Sequence, residues 1–111
     1  MAGRRPEVEW SEPAEADLEG ILGFIAVERP HIAQDVGLTL RNLAESLERL
    51  PLRGRVVPEL RALGLSQFRE VVTRPWRMIY RILGQKVIIV ALLDGRRELQ
   101  ELLMERLIRH P

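Results

Sequence analysis

The segment QFREVVTRPWRMIYRILGQKVIIVALLDGRR, residues 67–97, decides the fold of this chain. Its β-branched, aromatic and leucine side chains follow the pattern of strands, interrupted at Arg74-Pro75 and at Gly84-Gln85. These short interruptions predict three consecutive strands joined by tight turns, and therefore antiparallel neighbours. The last strand, from Lys86 to Leu93, is apolar on both faces, so we expect it to lie inside the sheet.

Arginines recur along the same segment, at Arg69, Arg74, Arg77, Arg81, Arg96 and Arg97. Alternation along the middle strand places Trp76 and Tyr80 on one face and Arg77 and Arg81 on the other. We expect the aromatic face to pack against helices and the arginine face to stay open. So many guanidinium groups suggest an anionic partner or substrate for this open face.

Two amphipathic helices precede these strands. Ser11 is a good N-cap, and apolar side chains recur at helical spacing from Ala14 to Ile25. Pro30 ends this helix, because proline pushes the residue before it out of the helical region. A second helix begins there and is expected to last to about Leu50, where Pro51 stops it. The short break between the two predicts an antiparallel helical hairpin.

A short first strand, from Glu7 to Trp10, and a final helix from Glu98 complete the predicted order β-α-α-β-β-β-α. Residues 51–66, rich in proline and glycine, are expected to form a loop. The sequence therefore predicts one α+β domain over residues 1–111. In it, the hairpin packs on one face of a mainly antiparallel four-stranded sheet.

Composition excludes several classes of protein. A hydrophobic fraction of 46% in 111 residues is enough for one core. The absence of cysteine excludes a disulfide framework and thiolate metal sites. The longest apolar run, Val87 to Leu93, is far too short to span a membrane, and the N-terminus lacks the apolar core of a signal peptide. We expect a soluble cytoplasmic domain with no membrane partner.

The net charge of +1 hides an asymmetry along the chain. Residues 1–50 carry five arginines against ten acidic residues, whereas residues 51–111 carry eleven arginines and one lysine against six. The acidic helical half is thus separated from a basic sheet half. A GC-rich genome would also favour arginine over lysine, so the arginine bias by itself does not establish a binding function.

The order and spacing of several motifs resemble the RelE/ParE superfamily of bacterial type II toxins, over nearly the whole chain. The shared motifs are VEWSEPAEADL at 8–18, Pro30, Pro51, Gly54, VPELR at 57–61, PWRMIYRI at 75–82, VIIVALL at 87–93 and DGRR at 94–97. The resemblance implies a small toxin without a cofactor or metal. It also implies a cognate antitoxin that wraps and neutralises the toxin, in a complex that can be a hetero-oligomer.

The superfamily contains two mechanistic groups. RelE-like toxins cut mRNA in the ribosomal A site, whereas ParE-like toxins lack nuclease activity and poison DNA gyrase. Cleavage through the 2′-hydroxyl needs a base, a cation on the phosphate and an acid. By resemblance, Glu59 would be the base, Arg77 the phosphate contact and Arg97 part of a terminal basic pair. The residues expected to bind the target or RNA are Arg61, Arg69, Arg77, Arg81, Arg96 and Arg97.

Two departures from the RelE-like pattern favour the ParE-like group. RelE-like nucleases carry a pair of basic residues on the strand that corresponds to residues 67–73. In this chain only Arg69 corresponds clearly to that pair. RelE-like nucleases also carry an aromatic residue near or beyond the terminal basic pair, which stacks on a base of the bound codon. Such stacking contributes about 1–3 kcal/mol per base. In this chain the corresponding region contains Leu102 and Leu103 and no aromatic residue. We therefore expect a toxin that inhibits DNA gyrase by binding. The alternatives are a metal-independent, ribosome-dependent mRNA endoribonuclease and a degenerate toxin kept as an antitoxin partner.

Structural roles remain open for the same residues. Arg77 and Arg81 are placed to pair with Glu70 or Glu59 across the sheet, as an alternative to contacting a target. Glu59 follows Pro58 and is placed to cap a turn. Trp76 and Tyr80 are expected in the core rather than on a nucleic-acid surface.

Overall fold

The computed structural model describes residues 5–95 and, beyond them, Leu99, Leu102, Glu105 and Arg106, which are helical. The strands are β1 (Glu7–Trp10), β2 (Arg55–Val56), β3 (Phe68–Thr73), β4 (Trp76–Leu83) and β5 (Lys86–Asp94). The helices are α1 (Glu12–Ala26), α2 (Pro30–Glu45) and α3 (Pro58–Arg61), with a 3₁₀ turn over Ser46–Glu48. In this part of the chain, no helix is both long and apolar enough to cross a membrane.

The sheet has five strands in the order β1-β5-β4-β3-β2. β1 runs parallel to β5, and the other neighbours are antiparallel. The α+β class and the interior position of β5 are confirmed, but the predicted count of four strands is wrong. The fifth strand, β2, has only two residues, which pair with Glu70 and Arg69. Two residues carry no periodicity, so a strand this short inside a predicted loop leaves no pattern to detect. The predicted element order also lacks α3.

The two long helices begin where their sequence signals place them. The Ser11 side chain accepts a hydrogen bond from the Ala14 backbone at 3.2 Å, and α2 begins at Pro30. α2 ends at Glu45, earlier than the predicted Leu50. The Ser46 hydroxyl donates to the Leu43 carbonyl oxygen at 2.6 Å, where the α-helix tightens into the 3₁₀ turn. Such back-bonding by serine competes with the regular helical ladder.

The main core lies between the helical hairpin and one face of the sheet. Met78 and Tyr80 are fully buried in it, and Trp76 and Ile82 pack at its margin, as alternation along β4 predicts. Its buried members are Ala14, Leu18, Leu40, Ala44, Leu47, Val71, Met78, Tyr80, Val87, Ile89 and Leu92. Burial of each large aliphatic side chain contributes about 1.5–3 kcal/mol, so this cluster stabilises the hairpin against the sheet.

The opposite face of the sheet carries a second apolar cluster. Its buried members are Val57, Leu60, Phe68, Ile79, Ala91, Leu93 and Leu99. The expectation of an open arginine face is therefore wrong over much of its area. Ile79 on β4 and the apolar side chains of β5 need cover on this side, and α3 with Leu99 supplies it. Arg77, on the same face, is buried with them.

Beyond β1, the edge of β5 is capped by side chains. β1 pairs only with Lys86 to Ile89. Past that point, the Asp17 carboxylate accepts the Leu92 backbone N–H at 2.9 Å, and Arg106 donates to the Val90 carbonyl oxygen at 3.1 Å. Asp17 and Arg106 also bind each other through two hydrogen bonds, of 2.6 and 2.7 Å. These side chains satisfy backbone groups that an added strand would otherwise pair with.

Candidate functional site

The predicted site residues Arg77 and Glu59 are in direct contact. Arg77 lies on β4 with its side chain only 9% exposed, and Glu59 lies on α3. The two terminal nitrogens of Arg77 donate to the two Glu59 carboxylate oxygens at 2.6 and 3.0 Å. Such a bidentate, charge-assisted pair fixes geometry as well as adding energy.

A second carboxylate holds the other side of the Arg77 guanidinium. Arg77 Nε donates to Glu70 Oε1 at 2.5 Å, and the other oxygen of Glu70 accepts from Arg55 Nε at 2.8 Å. Glu70 is fully buried, so it depends on these two cations to offset its desolvation. Arg55, Glu70, Arg77 and Glu59, which we call the Arg77 network, link β2, β3, β4 and α3. Their formal charges cancel.

The contacts of the Arg77 network change the chemistry of its members. Hydrogen bonding to Arg77 holds the pKa of Glu59 below its usual range, and the Glu59 carboxylate raises the pKa of Arg77. A general base works best with a pKa near the operating pH, so this arrangement makes Glu59 a poorer base. Three of the five N–H groups of Arg77 already donate to carboxylates. Nowhere among the described residues do three or more His, Cys, Asp or Glu side chains cluster as a metal site would.

Among the residues that the structure describes, the other predicted arginines do not form one surface with Arg77. Arg69 lies opposite Tyr80 in the β3–β4 pair, on the hairpin side of the sheet, and donates to the Gly54 carbonyl oxygen at 2.8 Å. Arg81 shares the Arg77 face, and its guanidinium lies 5.8 Å from the centre of the Phe68 ring. Arg61 is exposed at the end of α3. The four described members of the predicted target-binding set are thus divided between two faces and a helix end.

Arg96 and Arg97 lie outside the described residues. The chain leads towards them through Gly95, whose backbone N–H donates to the Pro75 carbonyl oxygen at 2.8 Å. A Cβ atom on Gly95 would lie 3.6 Å from two carbons of the Arg77 side chain. The predicted terminal basic pair therefore follows directly on a residue that packs against Arg77.

The sequence predicts Tyr80 in the core rather than on a nucleic-acid surface, but it does not predict the polar contacts of the Tyr80 hydroxyl. Its hydroxyl donates to the Pro51 carbonyl oxygen at 2.6 Å and accepts the Gly54 backbone N–H at 3.0 Å. Burial raises the pKa of this phenol. Tyr80 thus fixes the loop that leads into β2. A tyrosine hydroxyl inside an apolar core usually makes a hydrogen bond, so burial of Tyr80 could have predicted these contacts.

A second missed feature is an apolar surface at the bend of the helical hairpin. It consists of Phe24, Ile25, Val27, Ile32 and Trp76, which we call the hairpin-bend patch. Phe24 and Val27 are 84% and 83% exposed. Two clefts, of about 510 and 430 Å³, meet at Phe24, Ile25 and Trp76. Exposed patches of this kind mark interaction surfaces. The sequence feature that could have predicted this patch is the presence of large apolar residues outside the buried face of α1.

Comparison with known proteins assigns the chain to a family. Residues 8–99 match a family described as the ParE toxin of the type II toxin-antitoxin system parDE. Comparison with curated protein sequences gives no significant match.

Two solved structures share the fold. The chromosomal ParDE toxin-antitoxin system from P. aeruginosa aligns with a TM-score of 0.69 and 18% identity, over 81% of this chain and 96% of the other. The toxin-antitoxin complex RelBE2 from Mycobacterium tuberculosis aligns with a TM-score of 0.56 and 22% identity, over 81% and 91%. The family match runs from β1 to Leu99 and so covers most of the chain. The protein therefore belongs to the ParE toxin family of type II toxin-antitoxin systems, within the RelE/ParE superfamily.

Proposed function

We propose that this toxin acts by binding and inhibiting DNA gyrase, and that a cognate antitoxin neutralises it in the cytoplasm. The proposal rests mainly on the observation that the Arg77 guanidinium is already bound by two carboxylates. Glu59 and Glu70 hold the guanidinium that a nuclease would direct at a phosphate. The match to the ParE toxin family supports the same choice.

The alternative, an mRNA endoribonuclease, draws on the same residues and has less support. Its base would be Glu59, whose pKa Arg77 lowers, and its phosphate contact would be an arginine that is almost fully buried. Cleavage would require the Arg77 network to open first.

The antitoxin is the occupant that we propose for the hairpin-bend patch. Both structural neighbours come from toxin-antitoxin systems, and that of M. tuberculosis is a toxin-antitoxin complex. A neutralising chain must exclude the target, and apolar anchors in paired clefts are the usual source of such affinity. The two clefts flanking Phe24 and Trp76 offer such positions for apolar side chains of the antitoxin.

One pair of assays separates the two mechanisms. The purified full chain is added to DNA gyrase in a supercoiling assay and to a ribosomal translation reaction whose mRNA is then sequenced. We expect inhibition of supercoiling with intact mRNA. Cleavage within codons on the ribosome, with unaffected gyrase, would overturn the gyrase proposal in favour of the nuclease. Inactivity in both assays, together with normal growth on expression, would favour a degenerate toxin.

The antitoxin surface is tested with Phe24→Ser and Val27→Ser. Both side chains are mostly exposed, so we expect the melting temperature to change little. Affinity for the antitoxin, measured by calorimetry, should fall at least about tenfold for Phe24→Ser, because a large apolar anchor is lost.

Leu38→Ser is the matched control for this surface. Leu38 is an exposed apolar residue on α2 outside the hairpin-bend patch. If Phe24→Ser leaves the affinity for the antitoxin unchanged, or if Leu38→Ser lowers it equally, the antitoxin does not bind at the hairpin-bend patch.

A further inference from the structure

Arg81 lies on β4 outside the Arg77 network and has an unusual environment. The residue is half-buried, and its guanidinium lies 5.8 Å from the centre of the Phe68 ring. Within the described part of the chain, Arg81 Nε is the one buried side-chain nitrogen or oxygen atom without a hydrogen-bond partner. A buried donor without an acceptor is unfavourable, so this position favours the addition of one.

Arg41 shows a completed arrangement of the same kind. Its guanidinium lies 4.8 Å from the centre of the Trp10 ring and donates to the two Glu15 carboxylate oxygens at 2.9 and 3.0 Å. Arg81 has the aromatic ring but, among the residues that the structure describes, no such carboxylate. The group that Arg81 lacks, by this comparison, is a carboxylate.

Strand pairing defines the surface around Arg81. Residues that pair directly across neighbouring strands share a face of the sheet, so Phe68 on β3 and Ile88 on β5 flank Arg81. Leu83 lies two residues further along β4 and pairs with Lys86. We call this surface the Arg81 strip, and its members are Glu9, Phe68, Arg81, Leu83, Lys86 and Ile88.

The Arg81 strip combines one unpaired cation with apolar side chains. Lys86 Nζ lies 3.0 Å from Glu9 Oε1, which leaves Arg81 as the cation of the strip without an opposite charge. Leu83 is 48% exposed, and Ile88 is half-buried. A nucleic-acid backbone is bound by several cations at once. A single carboxylate beside an apolar side chain fits this surface better.

We propose that the toxin binds its protein target through the Arg81 strip, and that the strip takes an acidic segment of that target. A carboxylate of the segment accepts hydrogen bonds from the Arg81 guanidinium, and a neighbouring apolar side chain packs on Leu83 and Ile88. This inference rests on the proposed function, because it assigns the gyrase-binding surface of the same toxin.

The Arg81 strip and the hairpin-bend patch are separate surfaces. Arg81 and Trp76 are on opposite faces of β4, and Trp76 belongs to the patch. An antitoxin anchored at the patch therefore excludes the target by extending around the sheet to the strip.

The experiment compares the full-length wild type, Arg81→Met and Arg41→Met. Each purified protein is titrated into a DNA gyrase supercoiling assay, and its melting temperature is measured. We expect half-inhibition by Arg81→Met to need at least about tenfold more protein, because a charge-assisted hydrogen bond to the target is lost. Its melting temperature should change little, because Nε has no hydrogen bond to lose. Arg41→Met should inhibit like the wild type, since Glu15 already binds that cation.

The outcomes separate this inference from the proposed function. A wild type that leaves gyrase active would overturn the proposed function and this inference with it. Inhibition by the wild type and equally by Arg81→Met would overturn this inference alone. The same holds if Arg81→Met keeps full inhibition but loses affinity for the antitoxin, because the strip would then belong to the antitoxin.

Leu83→Ser provides a second test if Arg81→Met does not fold. Leu83 is an exposed residue of the strip, so its replacement should leave the fold intact. We expect half-inhibition to need at least about threefold more of this variant, because an apolar contact beside Arg81 is lost. Inhibition equal to that of the wild type would likewise overturn the inference.

Discussion

Two bidentate arginine–glutamate pairs, Arg41–Glu15 and Arg77–Glu59, are nearly identical as hydrogen-bonded units and differ in their surroundings. The first joins α1 to α2 at 2.9 and 3.0 Å, and the second joins β4 to α3 at 2.6 and 3.0 Å. The two glutamates are equally exposed, whereas the arginine side chains are 46% and 9% exposed. The arginines, not the carboxylates, distinguish the two pairs.

The difference teaches that burial of the cation decides what such a pair does. Arg41 also lies 4.8 Å from the centre of the Trp10 ring, yet water can replace its ionic partner. Exposed pairs therefore contribute little to stability. Arg77 cannot be solvated in the same way, and the buried Glu70 depends on it. One pair is a surface contact, and the other is part of the interior.

The largest effect is expected for removal of the buried cation. Arg77→Met should lower the free energy of unfolding by about 3–5 kcal/mol, because it leaves Glu70 buried without one of its two cations. Arg41→Met should lower it by less than about 1 kcal/mol. Urea unfolding of both variants measures the difference. Similar losses for the two would show that burial of the cation does not separate the pairs.

This expectation changes how loss of toxicity in Arg77 variants should be interpreted. A protein weakened by several kcal/mol is partly unfolded or degraded, whatever its target. Loss of toxicity would identify Arg77 as a target contact only if the variant retained its melting temperature and its affinity for the antitoxin.

A smaller effect is expected at Gly54, in the loop before β2. A Cβ atom there would lie 2.6 Å from the Glu70 carbonyl oxygen and 2.7 Å from the Tyr80 hydroxyl, so Gly54→Ala must displace one of them. We expect a loss of about 1–3 kcal/mol in urea unfolding, typical of overpacking.

Gly23→Ala is the control for this substitution. Gly23 lies inside α1 with nothing within 4 Å of an added Cβ, so alanine should stabilise the helix by up to about 1 kcal/mol. A tolerated Gly54→Ala would show that the position of Glu70 does not depend on this close approach.

The sequence was sufficient for the parts of the fold that repeat a pattern. The alternation in β4 placed Trp76 and Tyr80 on the hairpin side, and Pro30 marked the helix break. It was insufficient for β2 and α3, which are too short to show a period. The parallel pairing of β1 with β5 joins distant parts of the chain, so no local sequence pattern predicts it.

The candidate site was predictable as a set of residues but not as an arrangement. Sequence reasoning named Arg77 and Glu59 and allowed a pair between them. Whether they pair depends on where α3 packs, which nonlocal contacts decide. Alternation along β4 predicts that Arg81 shares the face of Arg77, and the structure agrees, whereas strand register places Arg69 on the other side of the sheet. Their role in target binding stays a prediction.

The smallest effect concerns pH. Hydrogen bonding to an arginine lowers the pKa of both Glu59 and Glu15 below the usual value of 4.5. A carboxyl group with a lowered pKa in the folded state stabilises the protein above that value and loses this contribution as the pH falls through its folded pKa. Stability should therefore decline below about pH 4.5, and either substitution to glutamine should make that decline shallower. Both carboxylates are more than a third exposed, so each change should stay below about 1 kcal/mol.

The two pairs should nevertheless differ in this test. Protonation of Glu59 leaves a guanidinium that water barely reaches, whereas protonation of Glu15 leaves one that is already solvated. The decline in unfolding free energy between pH 5 and pH 3, measured with urea, should flatten more in Glu59→Gln than in Glu15→Gln. The reverse order would mean that the buried cation of the Arg77 network is neutralised by Glu70 alone, with Glu59 contributing no more than a surface carboxylate does.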